Sequence, residues 1–175
     1  MLRALFGLDV KVGRRPGVTL EPRTFRAGDL AVTDLPGFGF ISGVEERRAE
    51  AVRTSVVRYL EERGGSIACA VMVVDAGSFS EVVDRWESRG QLPVEVELYG
   101  FLEELGTPTI VAVNKMDKIP EDEVDDVMDG VGERLGMLPP WRQWLDVLVP
   151  VSAKRGDVEG LRAVLRRALE RPGKV

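Results

Sequence analysis

Two short loops carry the side chains best suited to recognise a ligand. They are Asn114-Lys115-Met116-Asp117 and Ser152-Ala153-Lys154. A carboxylate offers two acceptor oxygens, so Asp117 matches a pair of neighbouring N–H donors such as N1–H and the 2-amino group of guanine. Adenine lacks that donor pair and would leave the carboxylate unpaired, which is costly for a buried group. The first loop therefore predicts guanine recognition.

The other residues of the two loops are predicted to support this contact. Asn114 can connect the two loops, and the stem of Lys115 can lie along one face of the base. Ser152 and Lys154 can brace the pocket, and the backbone N–H of Ala153 can donate to the guanine carbonyl oxygen. An N-K-x-D string alone arises by chance in roughly one chain in fifty of this size. Its position at a strand end, followed by S-A-K after the next strand, makes chance a much weaker explanation.

A third segment, Asp34-Leu35-Pro36-Gly37, matches the weaker pattern D-x-x-G. This pattern has roughly even odds of occurring somewhere in such a chain, and the alternative is an ordinary turn after a strand. In a nucleotide site, Asp34 could hold Mg²⁺ through a water, and the Gly37 N–H could approach a γ-phosphate because no side chain intervenes. Thr19, in a loop rich in Gly and Pro, could ligate Mg²⁺ directly.

The elements that must position these loops follow from the hydrophobic pattern. Residues 67–75, 109–113 and 147–151 are apolar runs typical of strands buried on both faces, and residues 23–34 indicate a hairpin. Helices are predicted at residues 1–6, 45–63, 121–135 and 158–169, with another ending at about residue 105. This alternation predicts a three-layer α/β fold with a mostly parallel sheet. Ligands of such sheets bind beyond the carboxyl ends of the strands, where the three polar segments fall.

The composition excludes several other kinds of site. The 175 residues include 24 basic and 29 acidic residues, and the net charge of −5 does not indicate a general nucleic-acid binder. The absence of histidine excludes histidine metal ligands and histidine acid–base catalysis. The single cysteine, Cys69, lies in an apolar run and is interpreted as a core residue. No apolar run is long enough to span a bilayer, so we expect a soluble, cytoplasmic protein.

Together these segments resemble the G2 to G5 motifs of translation-factor-class P-loop GTPases, and more closely the archaeal type of the EngB family. The resemblance covers nearly the whole chain. It implies Mg²⁺-dependent GTP binding, slow GTP hydrolysis, a monomer, and a role in ribosome assembly with the large-subunit precursor as a partner. The residues that carry it are Arg15-Pro16-Gly17-Val18-Thr19, Asp34-Leu35-Pro36-Gly37-Phe38-Gly39-Phe40, Trp86-Glu87-Ser88-Arg89-Gly90-Gln91-Leu92-Pro93, Asn114-Lys115-Met116-Asp117 and Val151-Ser152-Ala153-Lys154.

The sequence departs from the wider GTPase pattern in two places. Phe38 follows D-x-x-G where many such GTPases place a glutamine that orients water, so we name no catalytic residue. The phosphate-binding motif G-x-x-x-x-G-K-[ST] is absent from these 175 residues. In the family this motif and the first strand precede the helix that residues 1–6 resemble, and that strand lies between the strands at residues 30–34 and 67–75. We therefore expect residues 1–175 to form a single G domain that is truncated at its N-terminus relative to the family.

Three hypotheses about function remain open at this stage. In the first, the chain is a GTPase whose true start lies upstream of Met1. In the second, it is a non-enzymatic pseudo-GTPase that binds a partner, or guanine nucleotide weakly. In the third, basic residues near the C-terminus dock on RNA, although a solvated helix face explains them more simply. These residues are Arg162, Arg166, Arg167, Arg171 and Lys174.

Overall fold

The computed structural model describes residues 1–7, 22–37 and 46–170, except for the side chains of residues 46–49. Its helices are α1 (Leu2–Phe6), α2 (Glu46–Arg63), α3 (Phe79–Glu87), α4 (Val94–Glu104), α5 (Val124–Arg134) and α6 (Glu159–Glu170). Its strands are β1 (Arg23–Ala27), β2 (Leu30–Asp34), β3 (Ala70–Asp75), β4 (Thr109–Asn114) and β5 (Leu148–Pro150). Short 3₁₀ turns occupy Gly64–Ser66, Met116–Lys118, Glu121–Glu123 and Trp141–Trp144.

Strands β3, β4 and β5 form a parallel sheet in that order. Strand β4 lies in the centre, and all of its residues from Thr109 to Val113 are buried. The register places Asp75 beside Asn114 and Val113 beside Pro150. Because the strands are parallel, their carboxyl ends meet at one edge, where the predicted loops at Asn114 and Ser152 follow β4 and β5. The third predicted strand end, at Asp34, belongs instead to the separate antiparallel pair of β1 and β2.

Both faces of this sheet are covered by helices. One face packs with α3 and α5 in a core that includes Met72, Val83 and Met128. The other packs with α1 and α6 in a core that includes Leu5 and Leu161. This arrangement is the predicted three-layer α/β fold.

The hairpin of β1 and β2 forms a separate antiparallel sheet. Among the described residues, β2 pairs with β1 and β3 pairs with β4, and no ladder joins β2 to β3. The hairpin is held instead by helix α2: Tyr59 donates a hydrogen bond to Thr33 (3.0 Å), and Leu35 packs on the cluster of Val56, Leu60 and Leu102.

Several predicted boundaries were wrong by a few residues. The strand predicted at residues 67–75 begins at Ala70, because Ile67 packs with Val56 and Leu60 in the cluster beside α2. Helix α5 begins at Val124, because Glu121–Glu123 forms a separate 3₁₀ turn after Pro120. Thr19, the predicted Mg²⁺ ligand, and Phe38, which takes the place of the water-orienting glutamine, lie outside the described residues.

Tryptophan side chains connect α5 to the segment that leads into β5. The backbone N–H of Trp141 donates to Asp129 Oδ1 (2.5 Å), and its indole N–H donates to Asp125 Oδ1 (2.8 Å). The Trp144 indole N–H donates to the Leu138 carbonyl (2.8 Å). These bonds fix the approach to β5, and therefore the start of the Ser152 loop. In the described parts of the chain, no helix has the length and apolar character needed to cross a membrane.

Candidate functional site

The two predicted guanine loops lie side by side at the carboxyl edge of the parallel sheet. Strand β4 runs into the loop that begins at Asn114, and the segment after β5 runs into Ser152. Backbone bonds continue the pairing beyond the strands: Val151 N–H donates to Val113 O (2.8 Å), and Met116 N–H donates to Val151 O (3.2 Å). The sheet therefore sets the distance between the loops.

Asn114 connects the two loops, as predicted. Its Oδ1 accepts a hydrogen bond from the backbone N–H of Ala153 at 3.1 Å. That N–H is also the donor predicted for the guanine carbonyl oxygen. Recognition by Ala153 therefore requires the N–H to be shared between two acceptors, or the Asn114 amide to turn away.

Ser152 fixes the carboxylate of Asp117. The backbone N–H of Asp117 donates to Ser152 Oγ (2.9 Å), and the Ser152 hydroxyl donates back to Asp117 Oδ1 (2.6 Å). Ser152 is 4% exposed, so water does not compete for these bonds. The Asp117 pKa is held below its usual range, mainly by the Ser152 hydrogen bond and further by the charges of Arg155 and Lys154. The carboxylate is thus ionised and oriented at neutral pH.

The Ser152 loop closes on itself in a tight turn. Ser152 N–H donates to Asp157 O (2.8 Å), and Ser152 O accepts from the N–H groups of Asp157 (3.1 Å) and Arg155 (3.0 Å). Gly156 sits at φ 78°, a left-handed conformation that glycine adopts without a steric penalty. The sequence Ser-Ala-Lys-Arg-Gly-Asp therefore forms a stable platform for Ser152 and Ala153.

Two charged residues that the sequence analysis did not single out lie in this site. Asp75, at the end of β3, forms an ion pair with Lys115 Nζ. Arg155 Nε lies 3.5 Å from Asp117 Oδ2, the carboxylate oxygen that Ser152 leaves free. Neither belongs to a recognisable motif. Only their place in the chain could have indicated them, because Asp75 ends a predicted strand and Arg155 directly follows S-A-K.

Asp34 ends strand β2 of the hairpin and Gly37 lies in the segment that follows it, so neither belongs to the two predicted guanine loops. Asp34 is the last residue of β2 and is partly buried. In the portions of the chain that the structure describes, no hydrogen bond or ion pair links either residue to the guanine loops. Among the described residues, no atom lies within 4 Å of a Cβ added to Gly37. Lys154 is exposed beside the Ser152 turn.

Two apolar clefts lie away from these loops. One, of about 290 Å³, is bordered by α1, α6 and Leu30. The other, of about 280 Å³, lies between Trp141, Pro150 and α6. Neither cleft is lined by a residue of the two predicted guanine loops, so the candidate site is defined by the polar geometry of the strand ends.

Comparison with known proteins agrees with this geometry. The family described as "50S ribosome-binding GTPase" matches residues 1–115. The match and the fold are those of a GTPase domain. A probable GTP-binding protein EngB from Methanosarcina mazei is 50% identical over 169 residues, which are 97% of this chain and 81% of that protein. The corresponding protein of Methanopyrus kandleri is 51% identical over 162 residues, covering 91% of this chain and 79% of that protein. The chain belongs to the EngB family of GTP-binding proteins.

Solved structures support the same assignment. The crystal structure of a probable GTP-binding protein EngB superposes with a TM-score of 0.86 and 35% identity, covering 98% of this chain and 91% of that one. Era from Aquifex aeolicus, solved with GDP and AlF₄⁻, has a TM-score of 0.67 and 21% identity, covering 99% of this chain and 52% of that one, which shows a shared fold. An EngB-like GTPase domain is therefore favoured over the pseudo-GTPase hypothesis.

Proposed function

We propose that this chain binds GTP and GDP by accepting the guanine N1–H and 2-amino hydrogens on the Asp117 carboxylate. The observation that carries the proposal is the Ser152–Asp117 pair, in which one buried hydroxyl orients both the backbone and the carboxylate of Asp117. Asp117 Oδ2 and the second lone pair of Oδ1 are the acceptors for the base. A fixed carboxylate lowers the entropy lost on binding and penalises a base that lacks the donor pair.

The other residues of the loops complete the base site. Asn114 holds the loops together through its bond to the Ala153 N–H, and the guanine carbonyl oxygen is proposed to share that donor. Lys115 covers one face of the base with its methylene stem, and the exposed Lys154 braces the opposite loop. Together with Ser152, these residues form a pocket whose polar groups match guanine.

Asp34, Gly37 and Thr19 are proposed to serve the phosphate end of the nucleotide. Asp34 fits a Mg²⁺ site because its carboxylate ends β2 with no hydrogen bond or ion pair to any other described residue, and Mg²⁺ typically takes one or two carboxylates together with waters and phosphate oxygens. Bound Mg²⁺ would neutralise phosphate charge, while Asp34 and Thr19 hold it and the Gly37 N–H reaches the γ-phosphate.

A binding titration with base-matched nucleotides tests the proposal. Wild-type chain, with Mg²⁺, is titrated with GDP and with ADP by isothermal calorimetry, alongside Asp117→Ala and the exposed control Asp122→Ala. We expect GDP to bind more tightly than ADP, and Asp117→Ala to lose at least about tenfold in GDP affinity, since removing a partner of paired donors costs well over 1 kcal/mol. Equal affinity of wild type for GDP and ADP, or an unchanged Asp117→Ala variant, would contradict it.

We further propose that residues 1–175 act as a monomeric GTPase domain that hydrolyses GTP slowly and assists assembly of the large ribosomal subunit in the cytoplasm. Membership of a family described by 50S ribosome binding supports this partner. Sedimentation of the chain with purified large-subunit precursors, with GTP and separately with GDP, tests it. We expect the chain to co-sediment with the particles to an extent that depends on the bound nucleotide. If the same amount of the chain sediments in the absence of particles, the proposal is contradicted.

A further inference from the structure

We infer that Asp75 is a positioning residue of the nucleotide site, acting through Lys115. The inference rests on the proposed function, because it assigns Asp75 the task of aiming the lysine that covers the guanine base. Asp75 itself does not contact the base. Its role would be to hold the Lys115 ammonium group at the end of β3, so that the methylene stem extends along the face of the guanine base.

The sheet places Asp75 next to the guanine loop. Asp75 and Asn114 are direct partners in the β3–β4 ladder, and Ala76 N–H donates to Asn114 O (2.9 Å). Lys115 is therefore one residue beyond the position that faces Asp75. Backbone hydrogen bonds fix this relationship, so it does not depend on flexible side chains.

The Asp75 carboxylate is held on one side by its own loop. Its Oδ1 accepts the backbone N–H of Gly77 (3.0 Å), while its Oδ2 forms the ion pair with Lys115 Nζ. The carboxyl side chain is 33% exposed and that of Lys115 is 47% exposed. A charge fixed in this way limits the directions in which the long lysine side chain can point.

The backbone of Lys115 has an unusual conformation. At φ 69° and ψ 28° it is the only non-glycine residue with positive φ among the described residues. Such a conformation costs a residue with a Cβ about 1 kcal/mol or more, and it persists where surrounding contacts enforce it. Lys118 N–H donates to Lys115 O (3.0 Å) in the following turn, and the Asp75 ion pair restrains the other end of the residue. Backbone and side chain are thus both constrained before any ligand is considered.

Ordering the Lys115 side chain before the ligand arrives should strengthen nucleotide binding. A free lysine side chain loses rotamer entropy when a ligand immobilises it, and that loss weakens binding. With Asp75 in place, part of the loss has already occurred on folding. The alternative is that Asp75 merely shapes the Asp75–Ser78 turn, in which Ser78 N–H donates to Asp75 O (3.2 Å).

A double-mutant cycle separates these two roles. Asp75→Asn keeps an acceptor for Gly77 N–H and removes the charge, whereas Lys115→Met removes the ammonium and keeps an apolar stem. Asp84→Asn is the matched control, since Asp84 forms another surface ion pair, with Arg134 (2.7 Å), between α3 and α5. The dissociation constant of a fluorescent GDP analogue is measured for wild type, the single variants and the Asp75→Asn/Lys115→Met double variant.

We expect Asp75→Asn to weaken binding about two- to fivefold, the range that a partly exposed ion pair supports, and Asp84→Asn to have no effect. In the Lys115→Met background, Asp75→Asn should change nothing further, because its effect passes through the ammonium group. An equal loss in both backgrounds would assign Asp75 to the turn and overturn the inference. Unchanged or tighter binding by Asp75→Asn would also overturn it.

Asp117→Ala, measured in the same series, distinguishes failure of the inference from failure of the proposed function. If wild type binds and Asp117→Ala does not, guanine recognition stands whatever Asp75 does. If wild type shows no binding at millimolar nucleotide, or Asp117→Ala binds as well as wild type, the proposed function fails and the inference about Asp75 fails with it.

Discussion

Asp117 and Ser152 hold each other through two hydrogen bonds that share one hydroxyl group. Ser152 Oγ accepts from the Asp117 backbone N–H (2.9 Å) and donates to Asp117 Oδ1 (2.6 Å). These residues come from loops after different strands, so the pair reports directly on whether the sheet has brought the loops into place. The serine of S-A-K therefore sets the orientation of the Asp117 carboxylate.

Replacing Ser152 with Ala should destabilise the protein by about 1–2 kcal/mol, since it removes both bonds and leaves the partly buried Asp117 backbone N–H without its partner. Urea denaturation measures the loss. Ser66→Ala is the matched control: Ser66 also donates from its hydroxyl, to Arg63 O (2.9 Å), but at an exposed position. A difference of less than about 0.5 kcal/mol between the two variants would argue against the importance of the Ser152 pair.

As the pH falls, the loss of guanine affinity should begin at a lower pH than it would with an ordinary aspartate, whose pKa is about 4. A carboxyl group whose pKa is lowered in the folded protein contributes while ionised, so the contribution is present at neutral pH and is lost as the pH falls through the lowered pKa. The Ser152 hydrogen bond is the main cause of the lowering at Asp117. In Ser152→Ala, the acid loss of GDP binding should therefore begin at higher pH than in wild type. Identical pH profiles of the dissociation constant would contradict this.

We expect Arg162 to stabilise the folded protein by connecting α6 to α1, and not to dock on RNA. Its guanidinium donates to the carbonyls of Ala4 (2.7 Å) and Leu5 (3.3 Å) at the end of α1, and so anchors that helix to α6. Arg162→Ala should lower the free energy of unfolding by about 1–2 kcal/mol. Arg166→Ala, an exposed arginine on the same helix, should change it by less than about 0.5 kcal/mol. Equal effects of the two variants would show that Arg162 does not anchor α1 and is an ordinary solvent-exposed arginine.

Gly156→Ala should distort the Ser152 turn. A methyl group there would meet no atom within 4 Å, so the penalty comes from the φ of 78° and not from crowding. We expect a loss of about 1 kcal/mol in unfolding free energy together with weaker GDP binding. Gly65→Ala is the control, because Gly65 also has open space around it but does not have positive φ. Equal destabilisation by both changes would show that the left-handed turn is unimportant.

Features that leave a recognisable pattern of residue types along the chain could be predicted from the sequence. Apolar strands, the helices between them, and the two guanine loops could all be recognised, because parallel strands bring their carboxyl ends together. Asp75 could not be recognised as a partner of Lys115, because a single acidic residue after a strand has no pattern and its partner lies 40 residues away. The role of Arg162 was hidden for the same reason, because its acceptors are backbone carbonyls that a sequence does not distinguish. Strand β3 was predicted too long because an apolar run does not reveal which core each residue joins.

The attachment of the hairpin to helix α2 has a mechanical consequence. Asp34 stands between Thr33, which accepts the Tyr59 hydroxyl, and Leu35, which packs against Val56 and Leu60. The residues on both sides of Asp34 are therefore attached to the same helix, so a displacement of the end of β2 would disturb both of these contacts with α2.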